Sequence, residues 1–232
     1  MKYAFVNGEK QEATRGTVGY CINCGAEMVA RCGEVKIHHW AHKAKRICDV
    51  WWENETEWHR AWKDIFPKEC QEVVHFAQDG EKHIADVKID GLVFEFQHSR
   101  IAPEERNVRT AFYRDIVWIV DGTRRKYDRQ QFINALQPDV DQSLPPMVRE
   151  FRYVEDCRVI QEWRNTNAAV FLDFSDDDLW LILPKTTQRA FFVLQYSKID
   201  FIKVCQQNRF VDWYRSVVHP TVTRLVEPPV ST

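Results

Sequence analysis

Apolar and polar positions alternate from Ala85 to Asp90 and again from Phe94 to Gln97, on either side of Asp90-Gly91. A period of two predicts two strands, Lys82 to Ile89 and Leu92 to Gln97, joined by a tight hairpin turn. Ala85, Val87 and Ile89 share one face of the first strand, and Asp86, Lys88 and Asp90 the other. On the second strand Phe94 and Phe96 oppose Glu95 and Gln97. Gln71 to Phe76 reads as a preceding strand closed by the turn Gln78-Asp79-Gly80, so the three predict an antiparallel meander. From Glu53 to Phe66 the period changes to that of a helix. Trp58, Ala61, Trp62 and Ile65 form its apolar stripe, and Pro67 ends it. Pro103 to Tyr113 predicts a second helix, opened by a proline and two acids. Ile116 to Val120 predicts a buried strand, being wholly apolar, and Arg129 to Leu136 a third helix.

The flanking segments are patterned differently. Tyr3 to Val6 predicts a short strand ending in the turn Asn7-Gly8. After the third helix, "QPDVDQSLPP" has the composition of a linker. Strands are expected over 168–174, 179–183 and 190–195, a helix from Lys198 to Tyr214, and a frayed tail "EPPVST". Asp176-Asp177-Asp178 reads as a solvated turn between two of these strands, with a metal-binding loop as the lesser reading. The patterns divide the chain into residues 1–50, 51–137 and 138–232.

Composition narrows the class. The 232 residues are 44% hydrophobic and 28% charged, enough for one sizeable core in a globular protein. No apolar run is long enough to span a membrane and no apolar leader opens the chain, so a cytoplasmic location is expected. A net charge of -2 excludes a basic protein that coats nucleic acid. The charge is uneven, however, with 8 basic against 5 acidic residues in 1–50 and 13 against 16 in 51–137. Seven cysteines in a reducing compartment argue against a disulfide framework.

Two constellations carry chemistry. Cys21 and Cys24, with Gly25 suited to a tight knuckle, precede His39 and His42. On a helical turn two histidines three apart face the same way, so Cys-x2-Cys-x14-His-x2-His approximates a structural Zn²⁺ site. His38 with His42 is an alternative pair, and Cys32 an alternative ligand. The second constellation lies in the hairpin, which places Asp86 and Glu95 on one side of adjacent strands. Two close carboxylates repel unless a cation lies between them. With the Phe96 carbonyl they suit Mg²⁺ or Mn²⁺. Glu53, Glu57 and Asp64 of the first helix are candidates for a third acid, and Glu55, His59 and Lys63 form a second ridge. Arg109 and Tyr113 are four apart and can face one site, where a guanidinium would hold a phosphate.

The segments "CINCG", "HHWAH", "ETEWHRAWK", "ADVKID", "FEFQHS" and "RTAFYRDIVWIVDG" together resemble the competence protein CoiA-like family, with a PD-(D/E)xK, restriction-endonuclease-like core. The resemblance covers about residues 18–137. It implies an α/β fold with a mixed sheet flanked by helices, a zinc-finger-like N-terminal module and a C-terminal α+β extension. It implies that Asp86 and Glu95 hold the catalytic metal and that Glu57 is the helix carboxylate, with His59 beside it. Arg109 would be the arginine of the following helix, and Cys21, Cys24, His39 and His42 the zinc ligands. Gln97 stands where the family motif often has lysine, which would leave water activation to the metal. The implied activity is metal-dependent endo- or exonucleolytic hydrolysis of single- or double-stranded DNA. His59 or Lys63 would position the phosphate. Arg31, Lys36, Lys43, Lys45 and Arg46 would contact the backbone, and Trp40 would stack on a base or form the module's core. The alternatives are a non-catalytic DNA-binding protein, or an adaptor or homodimer working through the C-terminal region.

Overall fold

The computed structural model describes residues 1–44, 48–136, 144–184 and 191–226. Lys45, Arg46, most of the expected linker and the tail from 227 onward lie outside the described residues. The chain divides into two compact units, Met1–Ser99 and Arg100–Thr232.

The first unit opens with five short antiparallel strands: β1 (Tyr3–Val6), β2 (Glu9–Glu12), β3 (Val18–Tyr20), β4 (Glu27–Arg31) and β5 (His39–His42). Their order in the sheet is β2-β1-β3-β4-β5. Asn7 and Gly8 both take positive φ, at 52° and 83°, as the turn between β1 and β2 requires. The sheet wraps a small core of Ala4, Met28, Trp40 and Cys21. Trp40 is 1% exposed, and its Nε1 donates to Gln11 O at 2.8 Å. It is therefore the module's core and offers no stacking face. Residues 39–42, expected as a helical turn, form a strand instead.

The helix α1 (Glu57–Asp64) starts four residues later than its periodicity suggests. Thr56 caps it by accepting a hydrogen bond from His59 N at 3.2 Å, which fixes the start. Its apolar stripe packs on the hairpin: Trp62 stacks on Phe96 with ring centroids 5.7 Å apart, and Phe66 lies 5.3 Å from Phe94. The strands β6 (Gln71–Phe76), β7 (Lys82–Ile89) and β8 (Leu92–Gln97) form the expected antiparallel meander. Asp90 and Gly91 turn the hairpin with φ of 45° and 93°.

The second unit contains α2 (Pro103–Tyr113), β9 (Ile116–Asp121), α3 (Asp128–Ala135), β10 (Val148–Phe151), α4 (Arg158–Trp163), β11 (Ala169–Asp173), β12 (Asp178–Ile182) and β13 (Phe191–Ser197). It ends in α5 (Lys198–Gln206), α6 (Phe210–Trp213) and α7 (His219–Val226). β9 and β11 are parallel; β11, β12, β13 and β10 follow as antiparallel neighbours. Trp118, Phe171 and Val193 are fully buried here. The single helix expected from Lys198 to Tyr214 is broken at Asn208, which has φ 54°. A left-handed residue ends a helix. Asp176 pairs with Arg129 at 3.0 Å and is half exposed, so the acidic turn is solvated. No helix among the described residues is long and apolar enough to cross a membrane.

Candidate functional site

The first candidate site is a thiol-rich cluster in the N-terminal module. Cys21 and Cys24 sit on a knuckle closed by Gly25 N donating to Cys21 O and Cys21 N donating to Ala26 O, both at 2.9 Å. Gly25 takes φ 69° there, a conformation glycine adopts without strain. Cys21 Sγ lies 3.7 Å from Cys48 Sγ, and Cys24 Sγ lies 3.4 Å from His42 Nε2. All four ligand atoms fall within 4.8 Å of one another. A tetrahedral zinc with Zn–S of about 2.3 Å separates its sulfurs by about 3.8 Å, so the cluster has the size such an ion needs. Burial, then the neighbouring Cys21 and Cys24 thiols, push the Cys48 thiol up to about 12. Crowded thiols of that kind lose their protons together only when a cation takes the charge. The residues thus fit a structural metal, consistent with zinc, held by three cysteines and one histidine.

His39, expected as the fourth ligand, is not in the cluster. In a strand, residues three apart point to opposite faces, so β5 turns His42 toward the cysteines and His39 away. His39 Nδ1 instead donates to Ile37 O at 2.9 Å. His38 is exposed and also outside the cluster, as is Cys32, whose thiol lies 3.5 Å from Ala13 O. Cys48 takes the place because its neighbour is anchored. Asp49 accepts from His83 Nδ1 and from Ile84 N, each at 2.8 Å, and from Trp51 N at 3.0 Å. Asn23 Nδ2 adds a 3.1 Å hydrogen bond to Cys48 O. The cluster is therefore tied to β7.

The second candidate site is the hairpin. Val87 pairs with Phe94, so Asp86 lies opposite Glu95, as the alternation predicts. Beyond that pair the ladder opens and carboxylates replace carbonyls. Asp86 N donates to Glu95 Oε1 at 3.1 Å, and Phe96 N donates to Asp86 Oδ2 at 3.0 Å. The α1 ridge closes over the gap. His59 Nε2 donates to Asp86 Oδ2 at 2.8 Å. Lys63 Nζ lies 2.5 Å from Glu55 Oε1, 2.9 Å from Glu72 Oε1 and 3.9 Å from Asp86 Oδ1. Burial would raise the Asp86 pKa, but His59, Lys63 and the Phe96 amide outweigh it and hold it at about 2. Burial would likewise lower Lys63, but Glu72, Asp86 and Glu55 keep it above the ordinary lysine range. Glu72 reaches the lysine through a left-handed backbone, φ 46°, and also accepts from Lys2 N and Tyr3 N at 2.8 Å each. Lys63 is thus the hub of a buried group of acids.

The remaining expected residues are placed differently. Gln97 Nε2 donates to Glu53 Oε1 at 2.6 Å and to Ser99 O at 3.1 Å. Glu57 is exposed at the first turn of α1. Arg109 lies on α2 in the second unit, paired there with Glu105. Among the described residues, only the cysteine cluster groups three or more potential ligands closely enough to hold a metal. Sequence reasoning missed Cys48 as a ligand and Glu72 as a partner. Cys48 stands 24 residues beyond Cys24, without a second Cys-x2-Cys spacing to flag it.

Residues 6–51 match a family model described as "Competence protein CoiA, N-terminal domain". That span contains the four clustered ligands and ends before Asp86 and Glu95. No curated protein matches the chain, and no solved structure matches it.

Proposed function

We propose that this chain binds nucleic acid without cutting it, on a nuclease-like hairpin whose acids are structural. The observation that carries this reading is the state of Asp86. Its Oδ2 accepts from both His59 Nε2 and Phe96 N, and Lys63 lies beside its other oxygen. A carboxylate neutralised in this way is a poor start for a divalent cation. Gln97, where a lysine would serve catalysis, holds Glu53 and the Ser99 carbonyl instead. The match of the N-terminal module to a competence-protein domain supports nucleic acid as the partner. So do the exposed Arg31, Lys36 and Lys43 on that module, which suit phosphate contacts. A zinc held by Cys21, Cys24, His42 and Cys48 would be structural, since four protein ligands leave no open position.

The metal-dependent nuclease is the second reading, favoured by the opened ladder that sets Asp86 beside Glu95. Asp86, Glu95 and the Phe96 carbonyl would hold Mg²⁺ or Mn²⁺, which would polarise a phosphodiester and activate water. His59 and Lys63 would first have to release Asp86. One experiment separates the two readings. Zinc-loaded protein and Glu95→Ala are incubated with single-stranded, linear duplex and supercoiled DNA in Mg²⁺, Mn²⁺ or EDTA. Binding by both proteins with no cleavage is the expected result. Metal-dependent cleavage that disappears in E95A would overturn it in favour of the nuclease.

A further inference from the structure

Against the cysteine cluster lies a cavity of about 450 Å³, walled mainly by Met28, Trp40, Ile84 and Trp52, with His39, Asp49 and the cluster residues His42 and Cys48 also in its wall. A second cavity, of about 340 Å³, shares Trp52 and His39 with the first and adds Lys36 together with Glu55 and Glu57. Trp52 is 50% exposed, which is unusual for so large an apolar side chain next to a preformed hollow. The preceding Trp51 is stacked flat on His83, 3.4 Å away. Together with the hydrogen bonds to Asp49, this sets the backbone on which Trp52 is carried. Apolar walls of this extent do not suit a bare phosphate or a metal ion; a flat, largely apolar group with a polar edge does. His39 supplies the polar edge. Its Nδ1 must donate, because Ile37 O accepts, and this leaves Nε2 as an acceptor for an N–H. Residues 1–50 also carry a basic excess, 8 against 5, suited to the phosphates on either side of such a group.

We propose that Trp52 and the cavity beside it hold one unpaired base of a single-stranded nucleic acid, with Trp52 as the stacking platform and His39 Nε2 contacting the base edge. The inference rests on the nucleic-acid-binding reading above and adds a substrate class to it. A duplex hides its bases in its own stack, so a single strand enters without the cost of extruding one. Stacking on an aromatic side chain tolerates any base and contributes of the order expected for a single contact.

The test measures binding of zinc-loaded full-length protein to labelled oligothymidylate, oligouridylate, an abasic strand of equal length and a duplex, by fluorescence anisotropy. Trp52→Ala and Trp52→Phe are compared with the wild type. The expected result is a loss of about tenfold for W52A on base-bearing strands, near-wild-type binding for W52F, and no change for W52A on the abasic strand. The wild type should prefer base-bearing over abasic strands, and W52A should lose that preference. Tight binding of DNA or RNA supports the site equally, the better of the two naming the sugar. Intact binding by the wild type with no discrimination between base-bearing and abasic strands would overturn the base site and leave the nucleic-acid reading standing. No binding of any probe by the wild type would overturn both. Should W52A fail to retain zinc, the wild-type comparison of abasic and base-bearing strands decides alone.

Discussion

His59 Nε2 lies 2.8 Å from Asp86 Oδ2, so a helix residue closes a carboxylate that the hairpin has already bonded through the Phe96 amide. The pair joins α1 to β7 and β8 at the point where the backbone ladder opens. Lys63, one turn further along α1, carries the same closure on to Glu55 and Glu72.

Acid should loosen this closure first. Glu72 is buried and Asp86 half-buried, and both are held at about 2 in the folded protein, against about 4.3 and 3.9 in an unfolded chain. Below pH 5 the unfolded chain therefore binds more protons than the folded one. The stability these groups contribute is complete above that pH and is lost as pH falls toward 2, on the order of 3 kcal/mol for each. Urea unfolding of wild type and Asp86→Asn from pH 7 to pH 3 reads it. Zinc loss at low pH affects both proteins, so the difference between their curves isolates Asp86. That difference should shrink as pH falls. Parallel curves would mean that Asp86 is not ion-paired.

Lys63→Met should be the costliest single change in the first unit, at about 3–5 kcal/mol. It leaves Glu55, Glu72 and Asp86 buried with one cation fewer, and the lysine is only 3% exposed. The loss should be much smaller in a Glu72→Gln background, because that variant removes one of the stranded charges. A double-mutant cycle in urea measures the coupling. Additive losses would show that Lys63 acts through packing alone.

Much of this fold was legible from period and turn chemistry. The meander, its two turns and the Pro103 helix follow from alternation, Asp-Gly and an N-terminal proline. The opposition of Asp86 and Glu95 followed from alternation as well. What the carboxylates do there did not, because side chains replacing ladder carbonyls leave no mark on hydrophobic pattern. The make-up of the thiol cluster was hidden for a related reason. Cys-x2-Cys is a local knuckle and is visible. The remaining ligands depend on whether residues 39–42 form a turn or a strand, and on an anchor, Asp49, whose partners His83 and Ile84 lie more than thirty residues away. Trp40 and Trp52 show the same limit. Both are tryptophans in or just after a small module, and only packing separates the core residue from the exposed one.

Zinc content separates the two ligand sets directly. Purified protein should carry one zinc per chain by atomic emission. Cys48→Ser should lose most of it and His39→Ala should keep it. Because the cluster is tied to β7 through Asn23, Asp49 and His83, chelation should also lower the thermal midpoint of the first unit. Zinc loss in H39A with zinc retained in C48S would reinstate the Cys2His2 arrangement.

Gly19 tests the packing of the small module. A methyl group there would stand 3.0 Å from the Ala4 methyl and 3.0–3.1 Å from the far edge of the Trp40 ring. Neither neighbour can yield easily, since Ala4 is 0% and Trp40 1% exposed and the indole is fixed by its bond to Gln11 O. Gly19→Ala should therefore cost about 1–3 kcal/mol through overpacking, although alanine normally improves on glycine by restricting the unfolded chain. Trp40→Phe removes the ring atoms that collide, leaves a cavity and forfeits the Gln11 bond, so alone it should also destabilise. In combination the two changes should partly compensate, because the new methyl fills space the smaller ring vacates. Thermal unfolding of the zinc-loaded wild type, both single variants and the double variant measures the interaction. A double variant whose loss equals the sum of the two single losses would mean that Gly19 and Trp40 do not share this contact.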